Sequence, residues 1–395
     1  MAEVNLIEHL SGGNHELFHS NFLAYIAQVY PDFFKEIISI DDTVSEALKC
    51  FNPSDCKVLR ERQHFDFAIA DKDSERYLLV LENKMKSLPD MDQLESYKEK
   101  AEADCRILLT MIKVPDEELT PGWIQLSYSE LADRMENALK NRWDCFFNFL
   151  VRPYIDYIRT ISNDIDVIKS EFDKAYDNKK ISDYLVVPDN NDETTPKWQS
   201  LFLKKVRFQL LSDKIRSGYG KDILCSAGIV RGYLPFIDLN PYDKKHYKAE
   251  VNKFWLQIYP DHIEQGFYIY YERIKEKRKS NKPTKQEERI RFFRKIWKAF
   301  LKEDKDMKRL IKTINDKEIL GVPFPVTEKE IEVADFKGYI YKDFVMIYLR
   351  SSLPEINIDE FVNRVRELIC LVRDNDKKIN ELKEKEKENN NKIKQ

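Results

Sequence analysis

Two neighbouring runs, His64-Phe-Asp66-Phe-Ala-Ile-Ala70 and Tyr77-Leu-Leu-Val-Leu-Glu82-Asn83-Lys84, decide how this chain is read. The second run is apolar at consecutive positions, the pattern of a strand buried on both faces. It ends abruptly in Glu82-Asn83-Lys84. Charged side chains are seldom buried unless paired or bound to a metal. Asp66, Glu82 and Lys84 at the edge of a sheet's core therefore call for a chemical explanation.

Residues 71–76 between the runs are polar and suit an antiparallel hairpin. If Asp71 faces Tyr77, Asp66 stands directly opposite Glu82. Side chains alternate along a strand, so Lys84 shares the face of Glu82 while Asn83 points away. Like charges directly opposite destabilise a sheet, and two carboxylates this close share either a proton or a cation. Lys84 offsets one charge; a divalent ion would offset the other. Oxygen donors suit Mg2+ or Mn2+ better than zinc. Such an ion polarises a phosphodiester and lowers the pKa of a bound water. The bland alternative is a solvated strand end with Asp66 in a surface ion pair.

Working outward, apolar residues at helical spacing predict a helix over 14–30, capped by Asn14, with Pro31 after its end. Strands are expected at 57–62, 64–70 and 77–82, a helix at 91–102, strands at 105–114 and 123–126, and helical sequence from 128 to about 174. That order describes an α/β class with a mixed central sheet flanked by helices. A domain over 1–175 would lead through a polar linker, 176–196, into a second domain of α+β type over 197–375. There a helix is expected at 197–216 and strands at 229–239, 254–259, 267–271 and 339–349. A closing amphipathic helix carries Phe361, Val365, Leu368 and Val372, a face that could serve a homodimer. The Lys/Glu/Asn-rich tail, 376–395, is expected to fray.

Composition removes several function classes. Only 10 glycines occur in 395 residues, and neither Gly-x-Gly-x-x-Gly nor the Walker pattern is present, which disfavours nucleotide-cradling folds. The six cysteines are scattered without paired spacing, as expected of reduced thiols in a cytoplasmic protein. The first twenty residues lack a signal-peptide pattern, and no apolar run reaches membrane-spanning length. Net charge is −3, yet residues 273–312 hold 17 Lys/Arg against 6 Asp/Glu. This asymmetry points to a polyanion-facing surface.

The spacing of Asp66 and Glu82-Asn83-Lys84 resembles the PD-(D/E)XK nuclease superfamily. More narrowly it resembles the bacterial stand-alone members, whose first helix carries a Glu followed by Ser and an aromatic-aliphatic run. The matching stretch from Asn14 to Tyr25 reads Asn-His-Glu-Leu-Phe-His-Ser-Asn-Phe-Leu-Ala-Tyr. The family's Gln-x-x-x-Tyr on the next helix is matched by Gln93 and Tyr97, one turn apart on one face. The resemblance covers about residues 10–160. It implies a restriction-endonuclease-like core in which Asp66, Glu82 and the Asn83 carbonyl hold Mg2+ (or Mn2+) and Lys84 assists the attacking water. Glu16 would approach the metal or its water, and Gln93 and Tyr97 would position groups around the phosphate. The implied activity is metal-dependent phosphodiester hydrolysis, with DNA as the expected substrate and genome defence or repair as the setting. Phe65 stands where the naming proline would be, and Gln63-His64 makes an unusually short join between the first two strands.

Two further patterns carry chemistry. His15-Glu16-Leu-Phe-His19 spells the zinc-peptidase signature, His-Glu-x-x-His, but no third ligand is selected: Phe22 and Tyr25 occupy the positions of the extended motif's Gly and His. Arg289, Arg291, Arg294, Lys295, Lys298 and Lys302 line a basic helix with Phe292, Phe293, Trp297 and Phe300. Its cations are candidate phosphate contacts, and Phe293, Trp297 and Phe300 are expected in the core. A catalytically silent nucleic-acid- or protein-binding module on a nuclease fold is the main alternative, although its mark, loss of a triad member, is missing.

Overall fold

All eight residues of strand β3 (Tyr77–Lys84) are buried, and the first half of the molecule is built around it. A computed structural model describes residues 15–62, 65–74, 76–85, 88–116, 119–140, 142, 147–186, 197–219, 223–230, 234–241, 253–270, 286–317, 323–341 and 343–393. The chain divides into two units, Met1–Val167 with Asn190–Leu203, and Ile168–Asp189 with Lys204–Gln395.

Unit 1 is mixed α/β, a five-stranded mixed sheet flanked by helices. Its strands lie in the order β1 (Cys56–Arg62), β2 (Phe65–Asp71), β3, β4 (Ala103–Thr110) and β5 (Ile124–Ser127). The first three pair antiparallel and the last three parallel. Helices α1 (His15–Val29), α2 (Pro31–Ile38) and α3 (Asp42–Lys49) precede the sheet. α4 (Met91–Lys100) crosses over between β3 and β4, and α5 (Tyr128–Leu139) follows β5. Pro31, expected only to stop α1, also starts α2 at its first turn, where a missing N–H costs nothing. The Arg134 guanidinium on α5 then caps the far end of α2, with Nε 2.8 Å from the Ile37 carbonyl.

The two sheet faces differ. Phe65, Ala68, Val80 and Leu108 pack with Leu94 and Tyr97 of α4 and with Trp123, whose indole N–H donates to the Leu94 carbonyl at 3.1 Å. On the other face Phe67 meets Phe34 of α2, ring centroids 5.6 Å apart. The β2–β3 hairpin departs from the expected register at its loop end, where Ala70, not Asp71, faces Tyr77. A bulge then absorbs one residue of β3, since Ile69 faces Leu79, and the expected register is restored by Phe67↔Leu81. One step further along stand Asp66 and Glu82.

Unit 2 carries a six-stranded antiparallel sheet in the order β10 (Lys337–Ile340), β11 (Phe344–Ser352), β9 (His262–Tyr270), β8 (Lys253–Ile258), β7 (Leu234–Asn240) and β6 (Leu224–Val230). The expected single strands at 229–239 and 339–349 are thus each a hairpin. Its helices are α7 (Ile181–Leu185), α8 (Lys197–Arg216, divided between the units), α9 (Gln286–Glu303), α10 (Lys305–Asp316), α11 (Glu328–Val333) and α12 (Ile358–Ile393). α6 (Arg152–Ala175), which follows a π-helical turn at Phe147–Val151, is likewise divided. Part of the expected linker is structural instead. Ile181, Tyr184 and Leu185 are core residues of unit 2, and Lys180 bridges to Asn357. Residues 187–196 of that expected linker lie outside the described residues. The tail expected to fray continues α12 as far as Ile393. Among the described residues no helix is long and apolar enough to cross a membrane.

Burial raises the phenol pKa values of Tyr154 in unit 1 and of Tyr184 and Tyr348 in unit 2, and pushes Tyr176 up to about 12. The folded chain therefore holds these protons at pH values where the unfolded chain has released them. The stability they contribute is full below about 10, the free tyrosine value, and is lost as pH rises towards their folded values. Alkaline titration followed by phenolate absorbance and far-ultraviolet circular dichroism should show these tyrosines ionising only as helicity collapses. Complete ionisation near the free value with the fold intact would contradict this packing.

Candidate active site at the end of strand β3

The hairpin places Asp66 at the start of β2 and Glu82-Asn83-Lys84 at the end of β3. The Asp66 carboxylate accepts the Asn83 backbone N–H at 2.7 Å. A strand residue directs its N–H and C=O to the same neighbour, so the Asn83 carbonyl leaves β3 on the Asp66 side. The residues on either side turn the other way: the Lys84 carbonyl accepts from Met111 N at 3.2 Å, past the end of β4. Asp66 therefore takes the place of a ladder acceptor and fixes itself beside the β3 terminus.

Glu82 and Lys84 lie on the α4 face. The Lys84 ammonium stands 2.8 Å from a Glu82 oxygen, and the Lys84 and Glu82 side chains are only 11% and 2% exposed, respectively. The ammonium also donates to the Gln93 side-chain oxygen at 2.8 Å, and the Gln93 amide donates to the Tyr97 hydroxyl at 2.5 Å. Both come from α4, which starts where Asp90 caps the N–H groups of Asp92 and Gln93. Burial and then the Glu82 charge raise the Tyr97 pKa, with Asp66 adding to the effect and Lys84 opposing it. Tyr97 is thus a neutral hydroxyl within the field of all three charged residues. The predicted set Asp66, Glu82, Lys84, Gln93 and Tyr97 is brought together.

Asn83 faces the other way, as alternation predicts, and it is only 1% exposed. Its amide donates to Ser20 Oγ on α1 at 3.2 Å and its oxygen accepts from the Tyr128 hydroxyl on α5 at 2.5 Å. The chain of contacts continues to Tyr154, whose hydroxyl bonds Tyr128 and lies 2.8 Å from His19 Nδ1. Sequence reasoning gave Ser20, the Ser of the resembling first helix, no role and missed Tyr128 as a support of the site. The available signal was Asn83 itself, because an amide facing a buried helix layer must find a donor and an acceptor there.

Glu16 occupies the first turn of α1, one turn before Ser20, and its side chain and that of His15 lie outside the described residues. His19 is fully buried, its ring against Tyr128, Tyr154 and Tyr157, and serves the core. Among the described residues no three His, Cys, Asp or Glu side chains gather as a metal-holding group. Asp66 and Glu82 make two. Two hard carboxylates beside a backbone carbonyl fit Mg2+ or Mn2+, which keep waters and commonly take only one or two protein carboxylates.

The basic helix is α9. Phe293, Trp297 and Phe300 are buried in the unit 2 core as expected. Arg289 donates to the Gly338 carbonyl at 2.8 Å, Arg294 to the Ala334 carbonyl at 3.0 Å, and Lys298 pairs with Glu332 at 2.6 Å. Arg291, Lys295 and Lys302 are exposed. Half of the expected phosphate contacts therefore hold unit 2 together.

Comparison with known protein families, curated proteins and solved structures finds no match to this chain.

The Asn83 contacts make a direct stability test. Tyr128→Phe deletes the donor to a buried oxygen while keeping the ring, and should cost about 1–3 kcal/mol, the penalty for losing a buried hydrogen-bond partner. Urea denaturation measures it. An unchanged midpoint would mean that Tyr128 does not support Asn83.

Proposed function

We propose that unit 1 is a Mg2+-dependent nuclease of the PD-(D/E)XK type, hydrolysing phosphodiester bonds of DNA. One observation carries the reading: a buried strand ends in an acid and an ammonium 2.8 Å apart, with a second acid stitched to the same strand end. A buried ion pair is a poor device for stability, because an apolar pair of similar size is often as stable or more so. Keeping one at the tip of an otherwise apolar strand suits a task beyond folding.

The roles follow from the contacts. Asp66, Glu82 and the Asn83 carbonyl would hold the ion, which would polarise the phosphodiester and acidify a water when bound. Gln93 fixes the Lys84 ammonium from α4, so that its positive charge faces the scissile phosphoryl group. The attacking water gives up a proton to solvent as its oxygen bonds to phosphorus. The bond to the leaving oxygen breaks and that oxygen takes a proton from solvent, while Lys84 offsets the charge that grows on the phosphoryl oxygens. The Tyr97 hydroxyl accepts from Gln93 and keeps its proton for donation to a phosphate oxygen.

The test is cleavage of plasmid, single-stranded DNA and RNA with Mg2+, Mn2+ or EDTA. Asp66→Asn retains an acceptor for the Asn83 N–H, and Lys84→Met retains most of the stem. Each should lower metal-dependent cleavage by about 10²-fold or more, as removal of one group that stabilises transition-state charge does, with the thermal transition checked in parallel. Cleavage indifferent to both substitutions sinks the assignment. Binding without cleavage of any substrate points to the silent module instead.

A further inference from the structure

We propose that the solvent face of α10 is the surface by which this chain grips the phosphate backbone of duplex DNA, through Lys305, Lys308, Arg309 and Lys312. The class of polymer rests on the nuclease reading; the surface itself stands on separate observations.

α10 has two stripes with the same spacing. Met307, Leu310, Ile311 and Ile314 lie at i, i+3, i+4 and i+7 and are buried in the unit 2 core. Lys305, Lys308, Arg309 and Lys312 repeat that spacing two residues earlier. At about 100° per residue, a two-residue offset puts them on the opposite side of the helix. Lys305, Arg309 and Lys312 are exposed and Lys308 is half-buried. The stripe is about 10 Å long at ~1.5 Å per residue.

Many other cations on this molecule are engaged. In the same unit Lys298 pairs with Glu332, Lys317 with Glu367, Lys337 with Asp335 and Arg350 with Glu264. None of the four α10 side chains makes an ion pair or hydrogen bond with another described residue. Four like charges on successive turns repel one another. A row of four cations with one acid on its face, Asp316 at the far end of the helix, on a helix whose other face is the one buried in the core, suits an external polyanion.

The chemistry of the face narrows the partner. A membrane-surface helix inserts its apolar side, and here that side is already buried in the core. A groove-binding helix partner needs apolar anchors, and a single-strand platform needs aromatic rings; the α10 stripe carries neither. Evenly spaced cations without anchors fit a phosphate backbone held without sequence readout.

The test measures binding of the whole chain to a fluorescent duplex in EDTA, so that no cleavage can occur, over a series of salt concentrations. Lys308→Gln, Arg309→Gln and Lys312→Gln together should flatten the salt dependence by about 0.9 for each phosphate no longer neutralised and weaken binding by roughly 10²-fold at about 0.1 M salt. The same charge removed at Lys180, Lys317 and Lys337, all paired, should change both quantities little. Equal weakening in the two triple variants would assign binding to net charge and overturn the stripe. So would an unchanged salt slope, or stripe-dependent binding to phosphatidylserine vesicles with none to the duplex. A chain that binds through the stripe but cuts nothing in Mg2+ overturns the nuclease and keeps the surface. A chain that cuts, and whose stripe variant binds like the parent, does the reverse.

Discussion

The hydrogen bond from the Asn83 N–H to the Asp66 carboxylate is the contact on which the candidate site depends. At 2.7 Å it stands where a main-chain acceptor of β2 would otherwise be. A ladder built only of backbone would leave both acids free to swing apart. Because a side chain takes that bond, the acid of β2 is held at the tip of β3, next to a carbonyl directed to the same side. A charge-assisted bond of this kind is stronger than a neutral one. The cost of bringing Asp66 level with Glu82 is offset locally by this bond and by the Lys84 ammonium.

The end of β3 works because alternation sends its polar groups to two different helix layers. Glu82 and Lys84 turn to α4, where Gln93 and Tyr97 receive them. Asn83 turns to α1 and α5, where Ser20 and Tyr128 receive it. Either layer alone would leave the polar side chains on one face of the strand end without these partners. With both, the side chains of three consecutive residues are fixed from opposite sides of the sheet, and a shift of α1 or α5 is transmitted to the Asn83 peptide. The aromatic packing of His19 beneath α1 belongs to the same device, since Tyr154 joins it to Tyr128. A histidine that looks like half of a zinc motif in the sequence is placed to stiffen the layer behind the strand.

How much of this was legible depends on which physical signal each element carries. β3 and its polar terminus were legible because five apolar residues, Tyr77 to Leu81, run unbroken into Glu82-Asn83-Lys84. α4 was legible because Gln93, Leu94 and Tyr97 share a face. The loop-end register was not, because the bulge in β3 depends on tertiary fit and Leu78 looks like any other apolar strand residue. α2 and α3 were missed because each is eight residues long, too short for periodicity to register, and because Pro31 signals a stop and a start equally well. Strands β6 and β7, and β10 and β11, read as one each because the segments between them are short and Tyr233 and Tyr341 carry the aromatic pattern into them. Residues 176–186 read as linker from their polarity, yet Ile181, Tyr184 and Leu185 sit at the spacing that seats one helical turn in a core.

The basic region shows where counting charges stops being informative. Density of Lys and Arg singled out residues 273–312, and within them α9 drew attention because its aromatic residues made an amphipathic pattern. Yet an arginine's five donors suit orphan carbonyls as well as they suit phosphates. Arg289 and Arg294 each satisfy a carbonyl near β10, the edge strand of the unit 2 sheet, whose exposed backbone would otherwise invite pairing with another chain. Their guanidinium groups are committed to that role. α10 differs: its apolar stripe secures the helix, Asp304 caps it, and its four cations make no ion pair or side-chain hydrogen bond with another described residue. What distinguishes a binding surface from a merely charged one is therefore the number of cations that folding leaves uncommitted, and by that measure α10 outranks the denser helix before it.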